Sequence, residues 1–256
     1  MRILITRFGG LGDLLFIEPT IRAIYAKYSP CEIVFRTYIE FYGALEYHPL
    51  ISRVVYDHTE YYLGYKNNLK PKPSRFWFDV NPRFDMHFDM HEMYGLEDEK
   101  INDPNTHAVH IAANHAKIKI KDIIPQIPFL KRDVPRYPVV AHLVSYGGIV
   151  DGVEEDRSLN KNKELLEALS GYDTHFIGEK RLDHQEFVSI INNCDLFVGT
   201  ESCGVIIARG LNKNTIGIYK NDTRIKTRSF DRMTTLNFDE IYKIKDILKR
   251  CTTSKS

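Results

Sequence analysis

Asp13 is a carboxylate placed where a strand hands over to a helix, just behind Gly9, Gly10 and Gly12. The glycines permit tight backbone geometry and close approach of a bound molecule. A carboxylate at such a turn can take the proton from a hydroxyl group. It equally fits a helix N-cap, and the two roles are compatible. A second polar turn, Thr200-Glu201-Ser202-Cys203-Gly204, separates the apolar run Leu196-Phe197-Val198-Gly199 from a helix expected over 205–211. A turn that feeds a helix offers free amides and the positive end of the dipole to an anion such as a diphosphate. Thr200, Ser202 and Gly204 are the candidates there. Glu201 beside a phosphate suits only hydroxyls of a sugar or ribose.

Three other groups carry chemistry-bearing side chains. Asp85, His87, Asp89 and His91 alternate along a strand expected over 84–91, so they share one face. A row of that kind suits a single metal ion poorly, and no metal is expected. Arg157, Lys161 and Lys163 stand before or within the first turn of a helix expected over 160–169, where they face either solvent or an anion. Between Tyr61 and Arg83, Tyr61, Tyr62, Tyr65, Phe76, Trp77 and Phe78 are interleaved with Lys66, Lys70, Lys72 and Arg75. Basic residues among aromatics can follow phosphates and stack bases; a solvated loop folded onto the domain explains them as well.

These residues need a scaffold, and the chain supplies one. Arg2 to Arg7 is a short apolar run of the buried parallel-strand type, and Leu14, Leu15, Ile17, Ile21, Ile24 and Tyr25 follow at helical spacing. Pro19 belongs in the first turns of that helix or kinks it. Strands are expected over 32–37, to the end of 47–55, and over 139–144, 174–178, 196–199 and 215–219. Helices are expected over 41–45, 105–121, 186–193 and 238–250. Strands alternating with helices give an α/β chain of parallel sheets, whose ligands bind at the carboxyl edge. Pro125, Pro128, Pro135 and Pro138 cluster between the halves. The expected division is therefore 1–135 and 136–256.

The 256 residues carry a formal net charge of +1, which excludes a global field that would hold nucleic acid or an anionic membrane. No apolar run approaches a membrane span, and no secretory leader is expected ahead of the first strand. The four cysteines Cys31, Cys194, Cys203 and Cys251 form no CxxC pair and read as reduced thiols of a cytoplasmic protein. Gly9-Gly10-Leu11-Gly12 is neither GxGxxG nor a Walker loop. That absence disfavours a nicotinamide-dependent oxidoreductase.

The run ILITRFGGLGDLLFIEPTIRAI resembles the opening of the family 9 glycosyltransferases, the heptosyltransferase family. The run CDLFVGTESCGVIIARGLNKNTIGIY is similar to that family's donor-site signature. Weaker similarity covers Tyr47 to Val55 and the strand carrying Asp89 and His91, so the resemblance spans roughly Met1 to Lys220. It implies the two-domain GT-B architecture, two Rossmann-like α/β domains facing a cleft, with 1–135 holding the acceptor and 136–256 the nucleotide-sugar. It implies a hexosyl-, pentosyl- or heptosyltransferase that moves a sugar from a nucleoside-diphosphate donor to a hydroxyl with inversion. Asp13 then corresponds to the general base. Gly10, Gly12, Asp89 and His91 fall near the acceptor. Thr200, Glu201, Ser202, Gly204 and one of Arg157 or Lys161 fall near the donor. No cofactor beyond the donor substrate is implied.

The sequence departs from the family at Glu201, Cys203 and Ile206, where Asp, Gly and His are usual, and the chain is short. Two acceptors stay open: a core sugar of lipopolysaccharide, or hydroxymethylcytosine in viral DNA, toward which the basic aromatic arm points. A non-catalytic nucleotide-sugar binding module is the alternative from another class.

Overall fold

A computed structural model describes residues 1–38, 43–57, 83–90, 106–145, 149–150, 153–154, 158–180 and 182–253. The chain opens with β1 (Arg2–Thr6), whose Ile3, Leu4 and Ile5 are fully buried. A strand covered on both faces needs this apolar run. Two helices follow where one was expected: α1 (Leu11–Phe16) and α2 (Glu18–Tyr28), separated at Ile17. Pro19 lies in the first turn of α2, where its missing N–H costs nothing. Then come β2 (Glu32–Tyr38), β3 (Arg53–Asp57), β4 (Met86–Asp89) and α3 (Ala108–His115). The four strands form a parallel sheet in the order β3-β2-β1-β4.

Several expected helices need correction: the one over 160–169 begins only at Lys163, and residues 238–243 form a 3₁₀ turn. Residues 43–45 form a turn rather than the end of a helix, and Gly43 takes a φ of +86° that a helix cannot contain; 41–42 lie outside the described residues. The helix expected over 105–121 is shorter at both ends. His107 caps it, and Lys117, at φ 54°, leaves the helical region.

Residues 118–136 carry no regular structure and form the crossing between the halves. They are nevertheless tied down. The Gln126 N–H donates to Glu18 Oε2, the Leu130 N–H to Gln185 Oε1 and the Arg132 N–H to Ser189 Oγ.

The second half contains β5 (Tyr137–His142), the short pair β6 (Ile149–Val150) and β7 (Val153–Glu154), and α4 (Lys163–Ser170). It continues with β8 (Thr174–Ile177), α5 (His184–Asn192), β9 (Cys194–Thr200) and α6 (Cys203–Gly210). It ends with β10 (Asn214–Tyr219), α7 (Asp222–Arg228), β11 (Thr234–Asn237), a 3₁₀ turn over Phe238–Lys243 and α8 (Ile244–Thr253). Its five-stranded parallel sheet runs β11-β10-β9-β5-β8. Residues 222–228, where no element was expected, form a helix, and β11 adds a strand beyond those expected.

In both sheets the chain winds outward in one direction and then returns to the other side of its first strand. The reversal falls between β1 and β4 in one sheet and between β5 and β9 in the other. Clefts open at the carboxyl ends of strands at such reversals. Asp13 follows β1 and Glu201 follows β9, so each polar turn stands at its own sheet's reversal. One apolar cluster joins the halves: Leu15, Phe16 and Val109 pack with Phe187, Val205, Ile206 and Phe230. Among the described residues no helix is long and apolar enough to cross a membrane.

Candidate functional site

At the first sheet's edge, Asp13 occupies the first turn of α1. Its Oδ2 accepts a hydrogen bond from the Gly10 N–H at 2.8 Å, and its Oδ1 lies 3.7 Å from Arg7 Nη2. Its side chain is one-quarter exposed, whereas Arg7 behind it is 1% exposed. The guanidinium is anchored by donating to the Met90 carbonyl at 2.8 Å. The carboxylate is thus tied to the Gly10 amide, backed by a buried cation, and partly exposed. Asp89 ends β4 opposite Thr6 of β1, and its carbonyl accepts from His115 Nε2 at 2.7 Å. Gly10 is exposed and Gly12 half-buried. His91 lies outside the described residues.

The same edge holds a feature that sequence reasoning missed. Arg36 of β2 is fully buried, with its guanidinium 5.4 Å from the Phe8 ring centroid. The Arg7 backbone N–H donates to the Arg36 carbonyl, so the two buried arginines are paired through the backbone just past the end of β1. An arginine inside an otherwise apolar strand was the available signal, since charges are buried only against strong partners.

At the second edge, Thr200 is fully buried and Glu201 nearly so. Ser202 is the N-cap residue of α6, but its hydroxyl does not cap that helix. It lies 2.9 Å from Nδ1 of His142 at the end of β5. Three other N-caps of this half behave differently: Asn162 of α4, Asp183 of α5 and Asn221 of α7 each accept from their own first-turn amides. The first turn of α6 is left without a side-chain cap, as an anion site requires.

The His142 ring is tightly enclosed. A Cβ on Gly204 would lie 2.8 Å from its Nδ1, and one on Gly178 would lie 2.5 Å from its Cδ2. Burial pushes His142 down to about 4, so the imidazole is neutral near pH 7. Glu201 Oε1 is 3.3 Å from Arg224 Nη1 and 3.7 Å from Arg228 Nε, both on α7. Lys161 is exposed in the turn before α4. Arg157 and residues 61–82 of the basic aromatic arm lie outside the described residues. Among the described residues no group of three or more His, Cys, Asp or Glu side chains is arranged to hold a metal ion.

The two edges face each other. A Cβ on Gly12 would lie 3.3 Å from Ile206 Cδ1 and 3.9 Å from Cys203 Cα. The first turn of α1, carrying Asp13, therefore abuts the first turn of α6. Phe16 of α1 stacks near Phe230 at 6.1 Å and meets His107 edge-on at 5.9 Å. The His107 ring bonds the Ser229 carbonyl through Nε2 at 2.9 Å. Two parallel sheets with opposed carboxyl edges, a carboxylate on one and an open helix terminus on the other, define a cleft between Rossmann-like halves.

Solved structures share this arrangement. The E. coli heptosyltransferase WaaC with ADP-2-deoxy-2-fluoro heptose matches over 100% of both chains, with a TM-score of 0.66 at 11% identity. The chain has the GT-B fold of the heptosyltransferases. A glycosyl transferase family 9 protein from Veillonella parvula DSM 2008 matches 97% of this chain and 89% of its own, with a TM-score of 0.63 at 13% identity. The E. coli ADP-heptose lps heptosyltransferase II matches over 100% of both chains, with a TM-score of 0.60 at 12% identity. No family model matches the chain, and no curated protein matches its sequence. The likeness found by these comparisons is therefore one of fold.

Proposed function

We propose that the chain is an inverting glycosyltransferase. Residues 1–135 bind the acceptor and residues 136–256 the nucleotide-sugar. The observation that carries this reading is the close approach of Gly12 to Cys203 and Ile206, which brings Asp13 to the uncapped first turn of α6. The acceptor hydroxyl loses its proton to Asp13 as its oxygen bonds the anomeric carbon. The bond from that carbon to the diphosphate breaks, and its electron pair leaves with the phosphate oxygen. The α6 amides receive the departing charge. Asp13 is suited to the base role because one oxygen is held by the Gly10 N–H and Arg7 stands behind the other. The solved heptosyltransferases named with ADP and ADP-heptose make an ADP-sugar the first donor to test.

The acceptor is a core sugar of lipopolysaccharide or a hydroxymethylated base of DNA, and the same assay separates them. Purified protein is given pooled nucleotide-sugars with truncated lipopolysaccharide or hydroxymethylcytosine DNA, beside Asp13→Asn. Nucleoside-diphosphate release that needs one acceptor and falls about 10²–10⁴-fold in the variant supports the reading. Diphosphate binding without release under either acceptor supports a non-catalytic binding module instead. Full turnover in Asp13→Asn removes the proposed base.

A further inference from the structure

Arg228 closes α7 at the junction of the two walls. Its guanidinium carbon lies 5.7 Å from the ring centroid of Phe16, on the helix that carries Asp13. Its Nε lies 3.7 Å from Glu201 Oε1, just ahead of the first turn of α6. That separation is an ion pair but too long for a hydrogen bond. Its side chain is 20% exposed. A guanidinium carries five donors in a planar fork suited to phosphate oxygens. Here the fork is oriented by a buried carboxylate on one side and an aromatic face on the other.

We infer that Arg228 is the cation that binds the leaving diphosphate, and that Glu201 positions it rather than contacting the sugar. This rests on the glycosyltransferase reading and names a residue that reading lacks. As the anomeric carbon–oxygen bond breaks, the electron pair settles on the terminal phosphate oxygen. The amides of α6 face one part of the diphosphate, and the Arg228 fork donates to the part nearer α1. Arg224, 3.3 Å from the same Glu201 oxygen, holds the carboxylate in place. Lys226, on the same helix, is exposed, whereas Arg224 and Arg228 are half-buried beside Glu201.

The test measures ADP affinity by calorimetry in the wild type, Arg228→Gln, Arg228→Lys and Glu201→Gln, with unfolding temperature recorded for each. Arg228→Gln is expected to weaken ADP by about tenfold to a hundredfold, the scale of a lost charged hydrogen bond. Arg228→Lys should recover part of that loss. Glu201→Gln should leave ADP affinity unchanged or raise it, because the carboxylate competes with phosphate for the same fork. A purely structural ion pair predicts the opposite: both variants lose stability in parallel, and ADP affinity follows stability. Arg228→Gln binding ADP as tightly as the wild type overturns the assignment alone. A wild type that binds none of ADP, GDP, CDP and UDP overturns the donor-site reading with it.

Discussion

The Ser202 hydroxyl lies 2.9 Å from Nδ1 of His142, across sixty residues of chain, although Ser202 is the N-cap residue of α6. A serine in that position ordinarily bonds its own helix. Here the neutral imidazole takes the hydroxyl and leaves the first turn of α6 to other acceptors. The pair should therefore show coupling. Ser202→Ala strands a buried ring nitrogen and is expected to cost about 1–3 kcal/mol. In a His142→Ala background the same change should cost little. A double-mutant cycle by urea denaturation measures the difference, and a coupling below the experimental error would refute the pairing.

His107 and His142 are both buried, and burial pushes each down to about 4. Their folded values lie below the unfolded value near 6.5, so the unfolded chain binds more protons between those limits. Stability is thus fully present above about pH 6.5 and is lost as pH falls toward 4. Between pH 7 and pH 5 each histidine should remove about 2 kcal/mol. Urea midpoints measured across that range should fall toward acid, and His107→Gln should flatten the slope. An unchanged slope would mean that His107 remains accessible to protons.

The parts of the site that lie within one strand–turn–helix unit were legible in the sequence. β1 with Asp13 and β9 with Ser202 each combine a continuous apolar run with a polar or glycine-rich turn, and local patterning is enough to place them. The parts that depend on tertiary contact were not. His142 ends an ordinary apolar strand, and nothing near it in sequence points to Ser202. Residues 222–228 offer only Ile225 as an inward apolar residue, so α7 reads as alternating charge, and the orientation of Arg228 toward Phe16 appears only once the halves meet. β11, Thr-Thr-Leu-Asn, is a short polar edge strand with Leu236 its only buried residue, which leaves no period to detect.

Glu18 explains a motif that the sequence left weak. It is fully buried and bonds Arg22 Nε at 2.9 Å, His48 Nε2 at 3.0 Å and the Gln126 N–H at 2.9 Å. The carboxylate thereby joins α2, the turn before β3 and the crossing segment. Removing one member of a buried charged group leaves the others without compensation. Glu18→Ala is expected to cost about 3–5 kcal/mol. Limited proteolysis should then cut the crossing segment around Gln126 faster than in the wild type. Wild-type stability and cleavage in the variant would show that the segment is held elsewhere.

Gly12 tests whether the spacing between the two walls matters for turnover. A Cβ there would lie 3.3 Å from Ile206 Cδ1, the far end of a flexible side chain, and 3.9 Å from the Cys203 backbone. Gly12→Ala should therefore be absorbed by a small shift, at a stability cost below about 1 kcal/mol, since Ala also favours the helix. The shift moves α1 against α6, and with it the proposed base Asp13 against the proposed donor turn. Misplacement by about 1 Å can cost roughly 10²-fold in rate. Turnover in Gly12→Ala should thus fall by at least about tenfold while the unfolding temperature barely changes. Ile206→Val removes the crowded methyl, and adding it to Gly12→Ala should restore most of the rate. Equal loss of rate and stability, with no rescue by Ile206→Val, would place the effect of Gly12 in folding rather than in the alignment of base and donor.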